Sequence, residues 1–180
     1  MKRKTTLARR PRVAEPVSVR SLAAAQASAL EIYDTTLRDG AQAEDVSFSV
    51  EDKLRVAQQL DALGVHFIEG GWPGANPKDI EFFRKVKTVP LHHATVVAFG
   101  STRKASNSVR KDKNLQALVD SGTPTITLFG KSWSFQVTDA LGIALGKNLE
   151  LIEDSIHYLR SKHRRVFYDA EHFFDGYKAN

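Results

Sequence analysis

The sequence contains no cysteine among its 180 residues. This absence excludes a disulfide framework and any metal site built from thiolates. The sequence also lacks an apolar run near the roughly 18 residues that a membrane-spanning helix needs, so we predict no membrane segment. Hydrophobic residues make up 42% and charged residues 26% of the chain. Both fractions are ordinary for a globular domain.

Excess positive charge is confined to one end of the chain. The net charge is +5, but residues 1–29 alone hold seven Lys or Arg and one Glu, and the remainder holds 19 basic and 20 acidic residues. Nucleic-acid binding needs basic charge on the folded body, so we predict no nucleic-acid partner. We predict that residues 1–29 form a disordered basic tail, either an organelle transit peptide or a mis-assigned start. We expect a cytoplasmic protein, or a plastid or mitochondrial one if the tail is a transit peptide.

From residue 30 onward, short apolar runs alternate with helical patterns. Ser49, with Asp52 three residues later, predicts a capping box at a helix N-terminus, and Gly64 predicts the end of that helix. The pattern predicts strands over 30–34, 65–69, 94–99, 125–129 and 165–170, and helices over 50–63, 77–87, 113–121 and 147–162.

Five strands alternating with four helices predict an α/β fold with a parallel sheet. Two architectures satisfy this pattern: an open doubly wound sheet, or the N-terminal five βα units of a TIM (β/α)8 barrel. A complete barrel needs about 250 residues, and we predict no helix after the last strand. We therefore expect residues 30–180 to be a partial barrel, a fragment of a longer fold.

Unusual polar residues follow every predicted strand. They occur in the segments TTLRDGAQ, EGGWP, FGSTR, FGKSW and DAEH. The carboxyl ends of parallel strands lie on one face of the sheet, which carries the active site in barrels and open sheets alike. The helix-to-strand connections are shorter. The sequence therefore predicts a functional site at the carboxyl ends of the strands.

Five of these segments carry a family resemblance. YDTTLRDGAQ, SFSVEDK, IEGGWPG, FGKSW and YDAEHFFDGYKAN resemble, in order, the pyruvate-carboxyltransferase-like metal-dependent barrels, also called DRE-TIM metallolyases. This family includes the 2-isopropylmalate synthases, homocitrate synthases and hydroxymethylglutaryl-CoA lyases. EGGWPGANPKD and DAEHFFDGYKAN resemble its citramalate synthase branch.

The resemblance implies an acyltransferase that condenses acetyl-CoA with pyruvate in isoleucine and leucine biosynthesis, homodimeric when full-length. A 2-isopropylmalate or homocitrate synthase is the alternative within the family. An alternative of another class is a truncated, catalytically incompetent fragment, and we expect this chain alone to be inactive.

The resemblance also implies roles for individual residues. Asp39 is expected to bind a divalent cation, Mn²⁺ or Mg²⁺, which prefers oxygen ligands. Arg38 is expected to bind substrate and stabilise developing oxygen charge, and Glu69 to hold Arg38. Glu171 is expected to line the 2-oxo acid pocket, and Gln42 to contact substrate or a metal-bound water. The candidate catalytic residues are therefore Arg38, Glu69 and Glu171.

Several polar residues have simpler explanations. Asp34 is expected to order its loop, and without the resemblance Arg38 and Glu69 would be an ordinary ion pair. Arg103 could attract CoA phosphates, but a solvated basic loop is the expectation; Lys131 could equally contact phosphate or pack at the surface. The sequence has no His-x-His pair of the kind that the family uses as metal ligands, so those ligands are expected beyond Asn180. No proton-abstracting base is identified.

Overall fold

The structure, a computed structural model, describes residues 30–179. The predicted tail over 1–29 lies outside the described residues and stays a prediction. The described strands are β1 (Tyr33–Asp34), β2 (Phe67–Gly71), β3 (Thr95–Ser101), β4 (Thr125–Lys131) and β5 (Arg165–Glu171). The α-helices are α1 (Val50–Ala62), α2 (Pro77–Val86), α3 (Lys113–Asp120), α4 (Leu145–Ser161) and α5 (Phe173–Ala179), with a 3₁₀ turn at Gly40–Gln42 and a π-helical turn at Gln136–Ala140.

Strand order distinguishes the two predicted architectures. All neighbouring strands are parallel, and their order in the sheet is the order in the chain. A doubly wound sheet reverses its strand order at a switch point, whereas successive right-handed crossovers in one direction place every helix on the same side. The predicted α/β fold with five βα units of a TIM barrel is therefore confirmed.

The sheet has two faces of different character. Toward the helices it buries a continuous apolar core that includes Ile68, Ala98, Ile126, Leu128, Phe82, Leu118 and Leu159. On the opposite face, the rings of Tyr33, Phe67 and Phe167 lie 5.1–6.1 Å apart, centre to centre. Because side chains alternate between faces along a strand, every second residue of each strand lies on this second face.

Local signals explain where the helices begin and end. Ser49 and Asp52 form the predicted reciprocal capping box at the start of α1. Gly64, just after that helix, has φ +85°, a left-handed conformation that glycine adopts at helix ends. The Asn76 side chain accepts from the Lys78 N–H at the start of α2, with Pro77 in the first turn.

The prediction that no helix follows the last strand is wrong. Helix α5 spans Phe173–Ala179 even though Gly176, a poor helix former, lies within it. A Cβ atom on Gly176 would come within 2.4 Å of the Ser132 carbonyl oxygen. The glycine therefore lets α5 lie directly against the loop after β4. No helix in the part of the chain that the structure describes is long and apolar enough to cross a membrane.

Candidate active site

The loop after β1 is a tight turn stabilised by its own polar groups. The Asp34 carboxylate accepts the Thr36 N–H (2.9 Å) and hydroxyl (3.1 Å), as expected for a loop-ordering residue. The Thr35 carbonyl accepts the N–H groups of the three residues from Arg38 to Gly40, at 2.8–3.2 Å. Leu37 is fully buried. This turn holds Arg38 and Asp39 at the carboxyl end of the sheet.

Arg38 joins the loop to β2. Its Nε donates to Glu69 Oε1 at 2.5 Å, and its Nη1 donates to Asp39 Oδ1 at 2.8 Å. Glu69 is 1% exposed, whereas the Asp39 side chain is 62% exposed. Three predicted site residues from two elements therefore meet, with one buried carboxylate behind the guanidinium and one accessible carboxylate beside it.

Residues that the sequence analysis did not identify hold this group in place. The Tyr33 hydroxyl donates to Glu69 Oε2 at 2.5 Å and lies 2.6 Å from Thr127 Oγ1. The Arg38 guanidinium carbon lies 3.9 Å from the centre of the Phe99 ring, within range of a cation–π interaction. Each carboxylate oxygen of Glu69 thus accepts a hydrogen bond. The Arg38 guanidinium is held by hydrogen bonds at its edge and by the Phe99 ring on its face.

Burial controls the ionisation of this group. It raises the pKa of the Glu69 carboxyl, although hydrogen bonds from Tyr33 and Arg38 and the charge of Arg38 act in the opposite direction. It also raises the pKa of the Tyr33 hydroxyl, reinforced by the neighbouring Glu69 charge. The interior of the site therefore disfavours additional negative charge, and Arg38 supplies the main compensating positive charge.

Glu171 lies farther along the same edge, bound to a different cation. Its Oε2 accepts from Lys131 Nζ at 2.7 Å, linking the ends of β4 and β5. Lys131 is thus an ion-pair partner, and both side chains are about a quarter exposed. The structure does not bring Glu171 into hydrogen-bond contact with Arg38.

Asp169 connects the two ends of the site electrostatically. Partial desolvation raises its pKa, as do the charges of Glu171 and Asp39, whereas Arg38 lowers it. Asp169 in turn helps raise the pKa of Glu69. Sequence analysis missed Asp169, although its position two residues before Glu171 on a strand places both on one face.

Gln42 ends the 3₁₀ turn that follows Arg38 and Asp39, and its side chain is exposed. It helps to line a polar cavity of about 200 Å³ between the loops after β1 and β2. The other lining residues include Leu37, Arg38, Phe48, Lys53, Trp72 and Asp79. A small polar molecule could therefore reach Gln42 and Arg38 together.

The described residues do not form a complete divalent-cation site. The Asp39 carboxylate has the right chemistry and is accessible, but residues 30–179 contain no group of three His, Asp or Glu side chains arranged to hold a metal ion. His172, at the end of β5, pairs through Nδ1 with Asp175 at 3.0 Å. Any cation at Asp39 would need ligands in addition to those described.

The expectation of a solvated loop at Arg103 is wrong. Arg103 is 6% exposed and donates to Asp154 from Nε (3.0 Å) and Nη2 (2.5 Å). It also donates to Glu150 (3.0 Å) and to the Asn107 carbonyl (2.9 Å). The planar guanidinium satisfies several acceptors at once and joins the loop after β3 to α4. Arg103 is therefore not available to bind a phosphate.

The chain belongs to the HMGL-like family, whose profile matches residues 29–179. It is 58% identical over 153 residues to the (R)-citramalate synthase of Geobacter sulfurreducens, covering 85% of this chain and 29% of that protein. It is 55% identical to the (R)-citramalate synthase of Synechocystis sp., covering 87% of this chain and 29% of that protein. The 2-isopropylmalate synthase of Listeria welshimeri is 32% identical, covering 79% of this chain and 27% of that protein. The family resemblance is confirmed, and the chain spans less than a third of each of these relatives.

Solved structures support the fold. The hydroxymethylglutaryl-CoA lyase of Pseudomonas aeruginosa superimposes with a TM-score of 0.59 at 22% identity, covering 77% of this chain and 44% of that one. The HMG-CoA lyase of Bacillus subtilis gives the same TM-score at 16% identity, covering 77% of this chain and 45% of that one. At these identities the match defines the architecture alone.

Proposed function

We propose that this chain carries the 2-oxo acid side of an acyltransferase site that condenses acetyl-CoA with pyruvate to give citramalate and CoA. The names of the relatives above 50% identity support this reaction, in contrast to the 2-isopropylmalate synthases near 32%. The observation that carries the proposal is the Arg38 guanidinium, held from behind by buried Glu69 and flanked by accessible Asp39. The product would enter isoleucine synthesis.

The proposed chemistry begins with removal of a methyl proton from acetyl-CoA by a general base. The resulting enolate forms a carbon–carbon bond to the pyruvate ketone carbon, and the ketone oxygen becomes an alkoxide that takes up a proton. Water then cleaves the thioester, releasing the CoA thiol and the new carboxylate. Arg38 is suited to this sequence because its fixed donors can face the oxygen on which charge develops.

The other predicted residues take supporting roles in the proposal. Asp39 would hold a Mn²⁺ or Mg²⁺ ion, which supplies polarisation of the 2-oxo acid when bound. Glu69 orients Arg38, and Gln42 contacts substrate from the cavity beside it. Glu171, balanced by Lys131, lines the far side of the 2-oxo acid pocket. A homodimer and a cytoplasmic location, or a plastid or mitochondrial one if the tail is a transit peptide, remain predictions.

A chimaera tests the proposal because this chain alone is expected to be inactive. Residues 30–179 would replace the matching segment of the Geobacter sulfurreducens protein, and thiol release from acetyl-CoA would be followed with pyruvate, 2-oxoisovalerate and 2-oxoglutarate. We expect release with pyruvate and its loss in Arg38→Gln. Preference for another 2-oxo acid would contradict the proposed substrate. Turnover by the 180-residue chain alone would exclude the incompetent-fragment alternative.

A further inference from the structure

Behind the loop that holds Arg38 lies a buried ion pair to which sequence analysis gave no role. Lys53 on α1 donates from Nζ to Asp79 Oδ1 on α2 at 2.5 Å. Their side chains are 4% and 8% exposed. A buried ion pair is weak evidence for a contribution to stability, because desolvation can cost as much as the attraction gains. The other contacts of Asp79 point to a more specific role.

Asp79 also binds the backbone where β2 ends. Its Oδ2 accepts the Trp72 N–H at 2.8 Å. The register of β2 against β3 shifts between Glu69 and Gly71, so the ladder is irregular at this point. Gly71 has φ +143°, and a Cβ atom there would come within 2.4 Å of the Asp79 carboxyl carbon. The carboxylate therefore accepts a backbone donor at an irregular strand end, in space that glycine leaves open.

Trp72 connects this strand end to the residues around Arg38. Its ring packs edge-to-face against Phe99 and Phe129, with centres 6.1 Å and 5.2 Å away. Its Nε1 donates to Asn114 Oδ1 at 2.6 Å. Phe99 is the ring over which Arg38 lies. Asp79 thus fixes the backbone of Trp72, Trp72 supports Phe99, and Phe99 supports the guanidinium.

We propose that Asp79, held by Lys53, is a positioning residue for Arg38 and acts through the Trp72 N–H and the Trp72–Phe99 contact. The consequence for turnover rests on the proposed function, but the placement of Arg38 does not. The positioning effect comes from the oxygen of Asp79 that accepts the Trp72 N–H. Lys53 neutralises the negative charge of Asp79, which would otherwise be buried without a partner.

Two double variants separate the acceptor from the charge. Lys53→Met with Asp79→Asn removes both charges but keeps an oxygen for the Trp72 N–H. Lys53→Met with Asp79→Leu removes the oxygen as well. The readout is solvent exchange of the Arg38 Nε–H proton in nuclear magnetic resonance spectra, which reports the bond to Glu69 directly.

In the Leu variant we expect exchange to accelerate about tenfold, the equivalent of losing one hydrogen bond worth about 1.4 kcal/mol. In the Asn variant we expect the wild-type rate. The matched control is Asp61→Leu, because Asp61 also accepts backbone N–H groups, those of His92, His93 and Ala94, at the opposite end of β3. This control is expected to lower global stability without changing Arg38 exchange. Unchanged protection in a folded Leu variant, or equal losses in the Asn and Leu variants, would overturn the proposal.

A second measurement on the wild-type chain applies even if the Leu variant does not fold. Exchange of the Trp72 amide and of the Arg38 Nε–H would be followed in low urea concentrations, where protons released by one local opening share the same urea dependence. The proposal predicts the same dependence for both, and clearly different dependences would contradict it. Neither measurement uses turnover, so failure of the proposed reaction and failure of this inference are distinguishable.

Discussion

Replacing Glu69 tests whether the buried carboxylate of the site contributes charge or hydrogen bonds. In Glu69→Gln the amide oxygen can accept from Arg38 Nε, and the amide nitrogen can donate to the Tyr33 hydroxyl. That hydroxyl can then donate to Thr127 Oγ1, 2.6 Å away, so every bond has a replacement. Burial raises the Glu69 pKa, so the fold penalises the charged form of this side chain relative to water. Since these hydrogen bonds are kept, we expect Glu69→Gln to change the free energy of unfolding by about 1 kcal/mol, the scale of a single hydrogen bond.

Glu69→Leu should behave differently because it leaves the Arg38 Nε–H without an acceptor. Removing one partner of a buried pair costs about 3–5 kcal/mol, and Arg38 keeps Asp39 and is 18% exposed. We therefore expect a loss near the lower end of that range. Asp39→Asn is the matched control, with a loss below about 1 kcal/mol, since that partner is solvent-exposed.

The assay is urea unfolding followed by circular dichroism, comparing midpoints at constant slope. The pH dependence has a definite sign. A carboxyl group whose folded pKa is raised binds more protons in the folded state, so its contribution is present below the unfolded pKa and lost as pH rises through the folded pKa. The free energy of unfolding of the wild-type chain should therefore fall relative to that of Glu69→Gln as pH rises from the unfolded pKa of Glu69 through its folded pKa. Equal losses in the Gln and Leu variants, or the opposite pH trend, would refute this reasoning.

Three further outcomes are expected, each measured by urea unfolding. Gly71→Ala should lose about 3 kcal/mol because a Cβ atom meets Asp79 and the backbone is strained, whereas Gly64→Ala, with open space around it, should lose only about 1 kcal/mol; similar losses would show that contact is not the cause. In Asp61→Asn, the free energy of unfolding should depend less on pH in the acid range. Backbone N–H groups, chiefly that of His92, lower the Asp61 pKa to about 2, so the stabilisation from this carboxylate is lost as pH falls from about 4 toward that value. An unchanged acid profile would contradict this expectation. Arg103→Lys should lose about 2 kcal/mol, since an ammonium cannot span the acceptors that the guanidinium joins; wild-type stability would argue against that role.

The parts of the fold that local patterns determine could be predicted from the sequence. The capping box at Ser49, the glycine after α1 and the order of strands and helices depend on neighbours within a few residues. The first strand is shorter than predicted, Tyr33–Asp34 rather than 30–34, because only Tyr33 and Asp34 pair with residues of β2. Helix α5 was missed because its glycine is favoured by packing rather than by helix propensity.

Within the site, the motif-based residues could be named but their long-range partners could not. Tyr33 and Thr127 are 94 positions apart, and their contact follows from the register of the sheet. The burial of Arg103 depends on acidic residues of α4 lying opposite the loop, which no local pattern encodes. Asp169 could have been found by alternation with Glu171. The roles of Arg38, Asp39, Gln42, Glu69 and Glu171 in turnover stay predictions.

The central claim is that Arg38 and Asp39 form a site for a 2-oxo acid and a divalent cation rather than a surface ion pair. The most direct test is Mn²⁺-dependent broadening of the pyruvate methyl resonance by the chimaera that carries residues 30–179, because a cation at Asp39 needs ligands in addition to those described. We predict broadening with the wild-type segment and its loss in Asp39→Asn and Arg38→Gln. It should persist in Asp45→Asn, an exposed acid of the same loop. Broadening that is equal with the wild-type segment and with Asp39→Asn would contradict the claim.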